Sequence, residues 1–586
     1  MQQYILALTI TPLLFAIVLP FNSIRVRNIS TYLLVAFLSF ISISVFLNNE
    51  VIQLHLSDTI HTLFLVLDFI LLGYFIHQGI KHKSKWVITL AVVQTILFIF
   101  FLQIPASINS YDMIVDKVSA AMLLVVNIIG GIIIIYSLKY IQSEDMKDCK
   151  KNLFISILFF FIAVMNLLVT TNNIEIFFLC FELTTLCSYL LIRFRGDEVA
   201  MDNGLRALWM NQIGGVAIVI SLILSVYYYE TYYFDMLLTN SDHLFLLPLS
   251  FLIVSAFVKG ASIPFDKWLL GAMVAPTPVS AILHSATMVK IAPFLLLKIS
   301  FALSSFLSFL IILFGTFIFM AASIMALNKD FFKEILGLST IALLGLMMAV
   351  AAVGTPQAID VCIVLIVFHA LSKALLFLQA GIVEKVYHLK YLKDIDSLVS
   401  KSKLVVFFII IGFASLTLPP FGPFIGKFAT IEIFSSKLQD DILFIFPLLF
   451  TLMGSVFLTL LYFKVVTKLL TTSKNNKNEI EEDIPYTYIF TSSILTILMI
   501  LGVYQAYVYK FLGELELYIA SAIFVSTFLL LYLTKFKNVD ITKEYNCAEK
   551  SDISLGMFYF PLTLKYQKLF SFIAVLLIVS IIIGGI

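Results

Sequence analysis

Apolar runs of 18 or more residues recur from one end of this chain to the other, and they restrict its fold more than any other feature. A helix of about 20 apolar residues crosses a hydrocarbon core of about 30 Å. Lipid offers no hydrogen bonds, so a spanning backbone must satisfy its own amides, as helices or as a closed barrel. The runs are continuous and do not alternate with polar residues, which selects helices. They give about 18 spans, at 4–20, 30–48, 61–78, 87–104, 117–140, 153–170, 174–192, 205–228, 245–265, 275–298, 303–326, 334–353, 358–384, 404–430, 442–466, 486–508, 516–534 and 568–586. The predicted fold is an all-α polytopic membrane protein. Composition agrees: the chain is 61% hydrophobic and 13% charged, against about 25% charged in a soluble domain.

The net charge is +2, and the basic residues lie in short loops and not in one patch, so no nucleic-acid partner is expected. The partner is the bilayer. Cys149, Cys180, Cys187, Cys362 and Cys547 form no CxxC and no metal-ligand spacing. Cys180 and Cys187, two helical turns apart in an apolar run, read as small core residues. No metal site, cofactor site or disulfide is expected in this chain. The apolar run from Ile5 to Pro20 has no basic region before it and reads as a retained first helix. Lysine and arginine are concentrated in alternate loops, from Arg25 and Arg27 through Lys81, Lys83 and Lys85 to the segment from Lys535 to Lys568. By the positive-inside bias, the N-terminus lies outside.

With the loops set aside, Glu182, Lys259, Lys290, Lys373 and Lys427 remain deep in apolar segments, with His284 and His369. A charge at the bilayer centre costs about 2.5–3.5 kcal/mol on insertion scales. These residues must therefore face protein or water. Burial moves ionisable groups toward proton exchange near neutral pH, and a water-linked row of them is what proton conduction needs. The competing reading is a structural ion pair between Glu182 and Lys259. Lys298 and Lys464, near span ends, read as lysines that reach out to the interface.

Pro264 follows Lys259, and Pro419, Pro420 and Pro423 precede Lys427. Proline costs about 3 kcal/mol in a helix interior. Broken backbone at membrane depth is tolerated only inside protein or beside water. Two broken helices of opposite direction, each with a buried lysine, suggest an inverted repeat around an ion path.

The stretch Ala275-Pro-Thr-Pro-Val-Ser-Ala-Ile-Leu-His-Ser-Ala-Thr-Met-Val-Lys290 resembles the most recognisable segment of the proton-translocating antiporter-like subunits. That family is shared by respiratory complex I, Mrp-type antiporters and membrane-bound [NiFe]-hydrogenases. Further matches follow in family order. They are Phe181-Glu182-Leu183 with Cys187-Ser188-Tyr189-Leu190; Lys259 with Pro264-Phe265 and Trp268-Leu269; Leu338-Ser339-Thr340; His369 through Lys373 to Leu378; and Leu418-Pro-Pro-Phe-Gly-Pro-Phe-Ile-Gly-Lys427. Together they cover roughly 115–430.

The resemblance implies a core of two inverted five-helix repeats at 111–470, with N-terminal helices at 1–110 and C-terminal helices at 471–586. It implies that Glu182 modulates Lys259, the central proton carrier. His284 and Lys290 would relay protons onward, His369 and Lys373 would continue the relay, and Lys427 would be the terminal carrier. It also implies other hydrophobic and hydrophilic subunits as partners, any iron–sulfur or nickel–iron centres being theirs, in a prokaryotic inner membrane. The chain departs from the complex I pattern. Leu365 stands where a second histidine is usual, and Asn211-Gln-Ile-Gly-Gly215 replaces Asn-Arg-x-Gly-Asp. The segment Glu544-Tyr-Asn-Cys-Ala-Glu549 is similar to a hydrogenase-type motif. Spans 61–78 and 87–104 look inserted.

These matches favour a proton-translocating subunit of an energy-converting [NiFe]-hydrogenase, not catalytic alone but part of an oxidoreductase complex. A complex I subunit and an Mrp-type sodium/proton antiporter subunit are the alternatives. Protons or sodium are the transported ions.

Overall fold

In a computed structural model, residues 1–48, 50–108, 110–239, 246–395, 398–470, 484–508, 522, 525 and 564–586 are described. Among them, 15 helices are long and apolar enough to cross a membrane. The all-α polytopic expectation holds. Two of the shorter expected spans fall on the apolar helices Lys85–Phe101 and Leu247–Lys259. The span at 516–534, apart from residues 522 and 525, and the motif at 544–549 lie outside the described residues.

The order opens with α1 (Gln2–Val18) and α2 (Ile24–Leu47), then β1 (Ile52–Leu54), α3 (Asp58–Lys81), α4 (Lys85–Phe101) and β2 (Met113–Val115). β1 and β2 pair antiparallel in the register Ile52 with Val115. The helices α3 and α4 thus lie between the two strands of a small antiparallel pair. Next come α5 (Lys117–Leu124), α6 (Gly130–Gln142), α7 (Asp148–Thr170), α8 (Ile174–Ile192) and α9 (Glu198–Tyr229). The short α10 (Phe234–Thr239) leads to α11 (Leu247–Lys259), α12 (Lys267–Gly271), α13 (Thr277–Ala281) and α14 (Ile291–Ile299). Then follow α15 (Ser305–Leu327), α16 (Phe332–Ala351), α17 (Pro356–Lys385), α18 (Leu398–Lys401), α19 (Lys403–Thr417), α20 (Gly422–Asp440), α21 (Ile445–Leu470), α22 (Tyr486–Val508) and a last helix, Leu564–Ile583.

Local chemistry sets several starts. An orphan amide at a helix N-terminus needs an acceptor. Asp116 Oδ1 accepts from the Ser119 amide, Asn173 Oδ1 from those of Glu175 and Ile176, and Asp197 Oδ1 from that of Ala200.

The chain forms two compact units. One comprises 1–315, 347–363 and 571–586; the other comprises 316–346 and 364–570. In the first, α9 packs against α4, α8 and α11, and α3 packs against α4 and α8. One apolar cluster joins Leu71 and Phe75 of α3 and Val87 and Ala91 of α4 to Leu179 and Tyr189 of α8 and Leu205 and Leu208 of α9. In the second unit, α19 packs against α20, α21 and α22.

The expected breaks are present. α11 stops at Lys259, and the chain passes Pro264 before α12 begins at Lys267. α19 stops at Thr417, and Pro419 and Pro420 occupy the gap before α20. Pro423, expected to break a helix, instead lies in the first turn of α20. Proline is tolerated there because the amide it lacks would have had no helical partner. The span at 275–298, expected to be one plain helix, is irregular through its middle. A π-turn, Ile282–Ala286, and a 3₁₀ turn, Met288–Lys290, separate α13 from α14. A second π-turn, Val125–Ile129, lies between α5 and α6 and packs against the first. Such turns recur at functional positions in helices.

Candidate functional site

Four of the seven expected residues lie in the first unit: Glu182 on α8, Lys259 at the end of α11, His284 in the π-turn and Lys290 in the 3₁₀ turn. All four are 0% exposed. Ending α11 at Lys259 points its side chain back toward α8. There Nζ donates to the Phe181 carbonyl at 2.9 Å and to Thr185 Oγ1 at 2.8 Å, and it lies 3.8 Å from the centre of the Phe181 ring. A carbonyl, a hydroxyl and an aromatic face can each receive an ammonium without fixing it as one half of a salt bridge.

The Glu182 carboxylate is bonded elsewhere. Its Oε1 accepts from Gln94 Nε2 at 2.7 Å, while Oε2 makes no hydrogen bond among the described residues. The structural ion pair considered as a competing reading is therefore not how these two residues are held. They remain close enough for the charge of each to act on the other. A lysine and a carboxylate that sense one another but bond to different groups can change protonation state without breaking a clamp.

Gln94 is on α4, within the expected span 87–104, and is itself fully buried. Gly215 explains how α4 comes so near. A Cβ at that position would overlap both Glu182 Oε1 and Gln94 Nε2. Glycine in Asn211-Gln-Ile-Gly-Gly215 thus makes room for a carboxylate–amide pair, which is the physical content of that departure from the complex I pattern. A lone buried glutamine in an apolar run was the available signal, since burying an amide costs free energy unless it finds a partner.

Lys290 Nζ lies 3.9 Å from Met347 Sδ and close to Cys362, whose thiol donates to the Met347 carbonyl at 3.4 Å. His284 is on the π-turn, where Ser285 Oγ and Thr287 Oγ1 donate to the carbonyls of Ala281 and Ile282.

His369, Lys373 and Lys427 lie in the second unit, 0%, 0% and 4% exposed. Lys373 Nζ donates to the Leu336 carbonyl at 3.0 Å and to Ser339 Oγ at 2.5 Å. The chemistry matches that around Lys259: one carbonyl and one hydroxyl, three or four residues apart on a helix. Ser339 belongs to the Leu338-Ser339-Thr340 motif. Lys427 lies in the second turn of α20, beside Gly426. A Cβ on Gly426 would strike Leu365, and one on Gly422 would strike Phe368. The leucine that stands where a second histidine is usual therefore packs against the backbone next to Lys427.

Lys298 Nζ is bonded to Asp116 Oδ2, at the edge of the span that begins at Lys117, at 2.8 Å. Lys464 Nζ donates to the carbonyls of Leu327 and Lys329 at 2.7 and 2.9 Å and lies 3.5 Å from Asp330 Oδ1. A lysine at a helix C-terminus satisfies carbonyls left open there. Cys180, Cys187 and Cys362 are buried free thiols, and no group of three or more His, Cys, Asp or Glu among the described residues is arranged to hold a metal.

Comparisons with known proteins agree on one family. Residues 171–457 match the family model described as NADH:quinone oxidoreductase/Mrp antiporter, TM. Residues 104–148 match that of NADH-Ubiquinone oxidoreductase (complex I), chain 5 N-terminus. The chain is 28% identical over 422 residues to Na(+)/H(+) antiporter subunit A1 of Staphylococcus haemolyticus, covering 64% of this chain and 51% of that protein. It is 28% identical over 403 residues to a putative antiporter subunit of Staphylococcus aureus, covering 61% and 49%. The chain therefore spans about half the length of the curated relatives it matches. Its fold is similar to a chain in the structure of the Mrp complex from Dietzia sp. DQ12-45-1b, with a TM-score of 0.57 and 22% identity over 89% of this chain and 55% of that one. These relatives favour the Mrp alternative over the hydrogenase reading.

Proposed function

We propose that this chain, which belongs to the proton-translocating antiporter-like subunit family of complex I and Mrp antiporters, moves protons in exchange for a cation within an Mrp-type membrane complex. The observation that carries this reading is the seating of Lys259. Its ammonium is fully buried and rests on the Phe181 carbonyl, the Thr185 hydroxyl and the Phe181 ring, next to the Glu182 carboxylate that Gln94 holds. Loading or unloading a proton at Lys259 changes the field at Glu182, and the reverse also holds, because neither charge is cancelled by a direct contact. Lys373, on its own carbonyl and hydroxyl, offers a second station of the same design. His284, Lys290, His369 and Lys427 complete the proposed set of proton-handling residues. The similarity to Na(+)/H(+) antiporter subunits supports sodium as the exchanged cation, other membrane subunits as partners and a bacterial inner membrane as the location.

The test uses the assembled complex, purified from its native host and reconstituted in vesicles with a pH-sensitive dye. A sodium gradient should drive proton movement. Lys259→Ala and Glu182→Ala should each abolish it, while Lys437→Ala should leave it intact. Equal effects from all three variants would refute the assigned residues. Proton movement that ignores sodium, together with co-purifying [NiFe]-hydrogenase or NADH-module subunits identified by mass spectrometry, would overturn the antiporter reading in favour of a redox-driven complex.

A further inference from the structure

The helices α3 and α4 carry a second buried carboxyl that the proposed lysine row does not use. Asp68, in the middle of α3, is 2% exposed, and neither of its oxygens makes a hydrogen bond among the described residues. Such a carboxyl costs stability in either protonation state, because a buried polar group without a partner loses its hydration and gains nothing in return. Its location suggests a use. Asp68 is on the α3 face that packs against α8, in the same row as Leu71 and Phe75. It lies within electrostatic range of Glu175 and Glu182, and it acts on Cys180 between them.

The row continues to the end of the bundle that holds the β1–β2 hairpin. There His61, two turns before Asp68 on α3, lies 3.2 Å from Asp112 Oδ1, its side chain 29% exposed. Asp112 also accepts from the Leu56 amide at 2.9 Å, the Tyr233 hydroxyl at 3.3 Å and Asn173 Nδ2 at 3.4 Å. Glu175, in the first turn of α8, senses both His61 and Asp112. The spacing is regular: His61 to Asp68 and Glu175 to Glu182 are each seven residues, about 10 Å of helix rise. α3 and α8 begin at the same end and run alongside each other. Further along, Gln78 of α3 accepts from the Tyr189 hydroxyl of α8 at 3.0 Å, which confirms the common direction. The row therefore runs from a partly exposed histidine, past Glu175 and Asp68, to the carboxylate beside Lys259.

We propose that α3 and α4 build a side branch for protons, leading from His61 and Asp112 through Asp68 to Glu182. The inference rests on the proposed role of Glu182 and Lys259. A proton delivered by water at the His61 end forms an O–H bond on the Asp68 carboxylate. It then passes, through roughly one or two water molecules of the kind that bridge polar groups in proteins, to Glu182. Asp68 returns to a carboxylate and Glu182 becomes the acid, so charge and atoms balance with no electron transfer. Gln94 keeps Glu182 Oε1 occupied, which leaves Oε2 as the atom that receives the proton.

The experiment measures proton uptake by the reconstituted complex as a function of pH on each face, in the wild type, Asp68→Asn, Asp68→Glu and Lys259→Ala. Asp68→Asn should slow uptake roughly a hundredfold, at the low end of what a positioned acid–base group supplies. It should also flatten the dependence on pH at one face only. Asp68→Glu should restore both. Loss of uptake in Lys259→Ala with wild-type rate and pH profile in Asp68→Asn would overturn the side branch and leave the parent reading standing. Wild-type uptake in Lys259→Ala would overturn the parent reading itself. Labelling of the unmutated complex with dicyclohexylcarbodiimide needs no variant to fold. That reagent adds to protonated carboxyls in apolar surroundings, and peptide masses should locate it on both Asp68 and Glu182. Label on Glu182 with none on Asp68 would overturn the branch.

Discussion

Replacing Gly215 with alanine adds one methyl group where α9 faces Glu182 of α8 and Gln94 of α4. The new Cβ would overlap Glu182 Oε1 and Gln94 Nε2, and it would come within 3.0 Å of Glu182 Cδ. Neither side chain has a spare position, since both are fully buried. Overpacking of this kind costs about 1–3 kcal/mol. Breaking the 2.7 Å bond from Gln94 to the carboxylate removes a charge-assisted hydrogen bond, which contributes about 1.5–3 kcal/mol. A total loss of about 2.5–6 kcal/mol is expected on these two grounds. It can be measured by equilibrium unfolding of the complex in mixed micelles of dodecyl sulfate. Gln94→Ala removes the amide with which the methyl collides. The double variant should therefore lose less than the sum of the single losses, with a coupling of about 1 kcal/mol or more. Proton uptake should fall in Gly215→Ala as Glu182 is displaced. Wild-type stability in Gly215→Ala, or strictly additive losses in the double variant, would refute this account of the glycine.

Thr185→Val and Ser339→Ala each remove a hydroxyl from a buried lysine. A hydrogen bond to a charged group contributes about 1.5–3 kcal/mol, so each variant should slow vesicle proton uptake by roughly tenfold or more if the charged lysine is on the rate-limiting path. Lys464→Met strands the Leu327 and Lys329 carbonyls at the end of α15. It should cost about 1–3 kcal/mol in unfolding titrations while sparing uptake. Burial disfavours the Asp116 carboxylate, but Lys298 at 2.8 Å and the Ser119 amide outweigh it and hold the group below the ordinary carboxylate range. Its contribution to stability should be present above about pH 4 and fade as the pH drops further. Asp116→Asn should flatten that part of the thermal-stability profile.

Much of this architecture can be read from the chain alone, because lipid reduces the choices. An apolar run of about 20 residues must be a helix. A lysine within such a run must face protein or water. Prolines beside Lys259 and Lys427 mark breaks, because a ring nitrogen has no proton to donate. Each of these inferences depends on residues near one another in sequence. The carboxylate–amide pair does not: Gln94 and Glu182 are 88 residues apart. Their meeting depends on Gly215 of a third helix having no side chain. The same holds for the acceptors of Lys259 and Lys373, which come from helices 74 and 34 residues earlier in the chain. The irregular turn at His284 escaped notice because Ala275 to Lys290 has no internal proline beyond its first turn, and side-chain hydroxyls in place of a breaker residue satisfy the carbonyls of Ala281 and Ile282. Asp68 in an apolar run was visible as a residue, but not as part of a row, because only the packing of α3 along α8 aligns it with Glu175 and Glu182. The sequence by itself determined the helices, their breaks and the lysines they carry. The tertiary structure decided what each buried charge rests on, since a hydrogen bond is selective over tenths of an ångström and a helix can offer the same group to any of several neighbours.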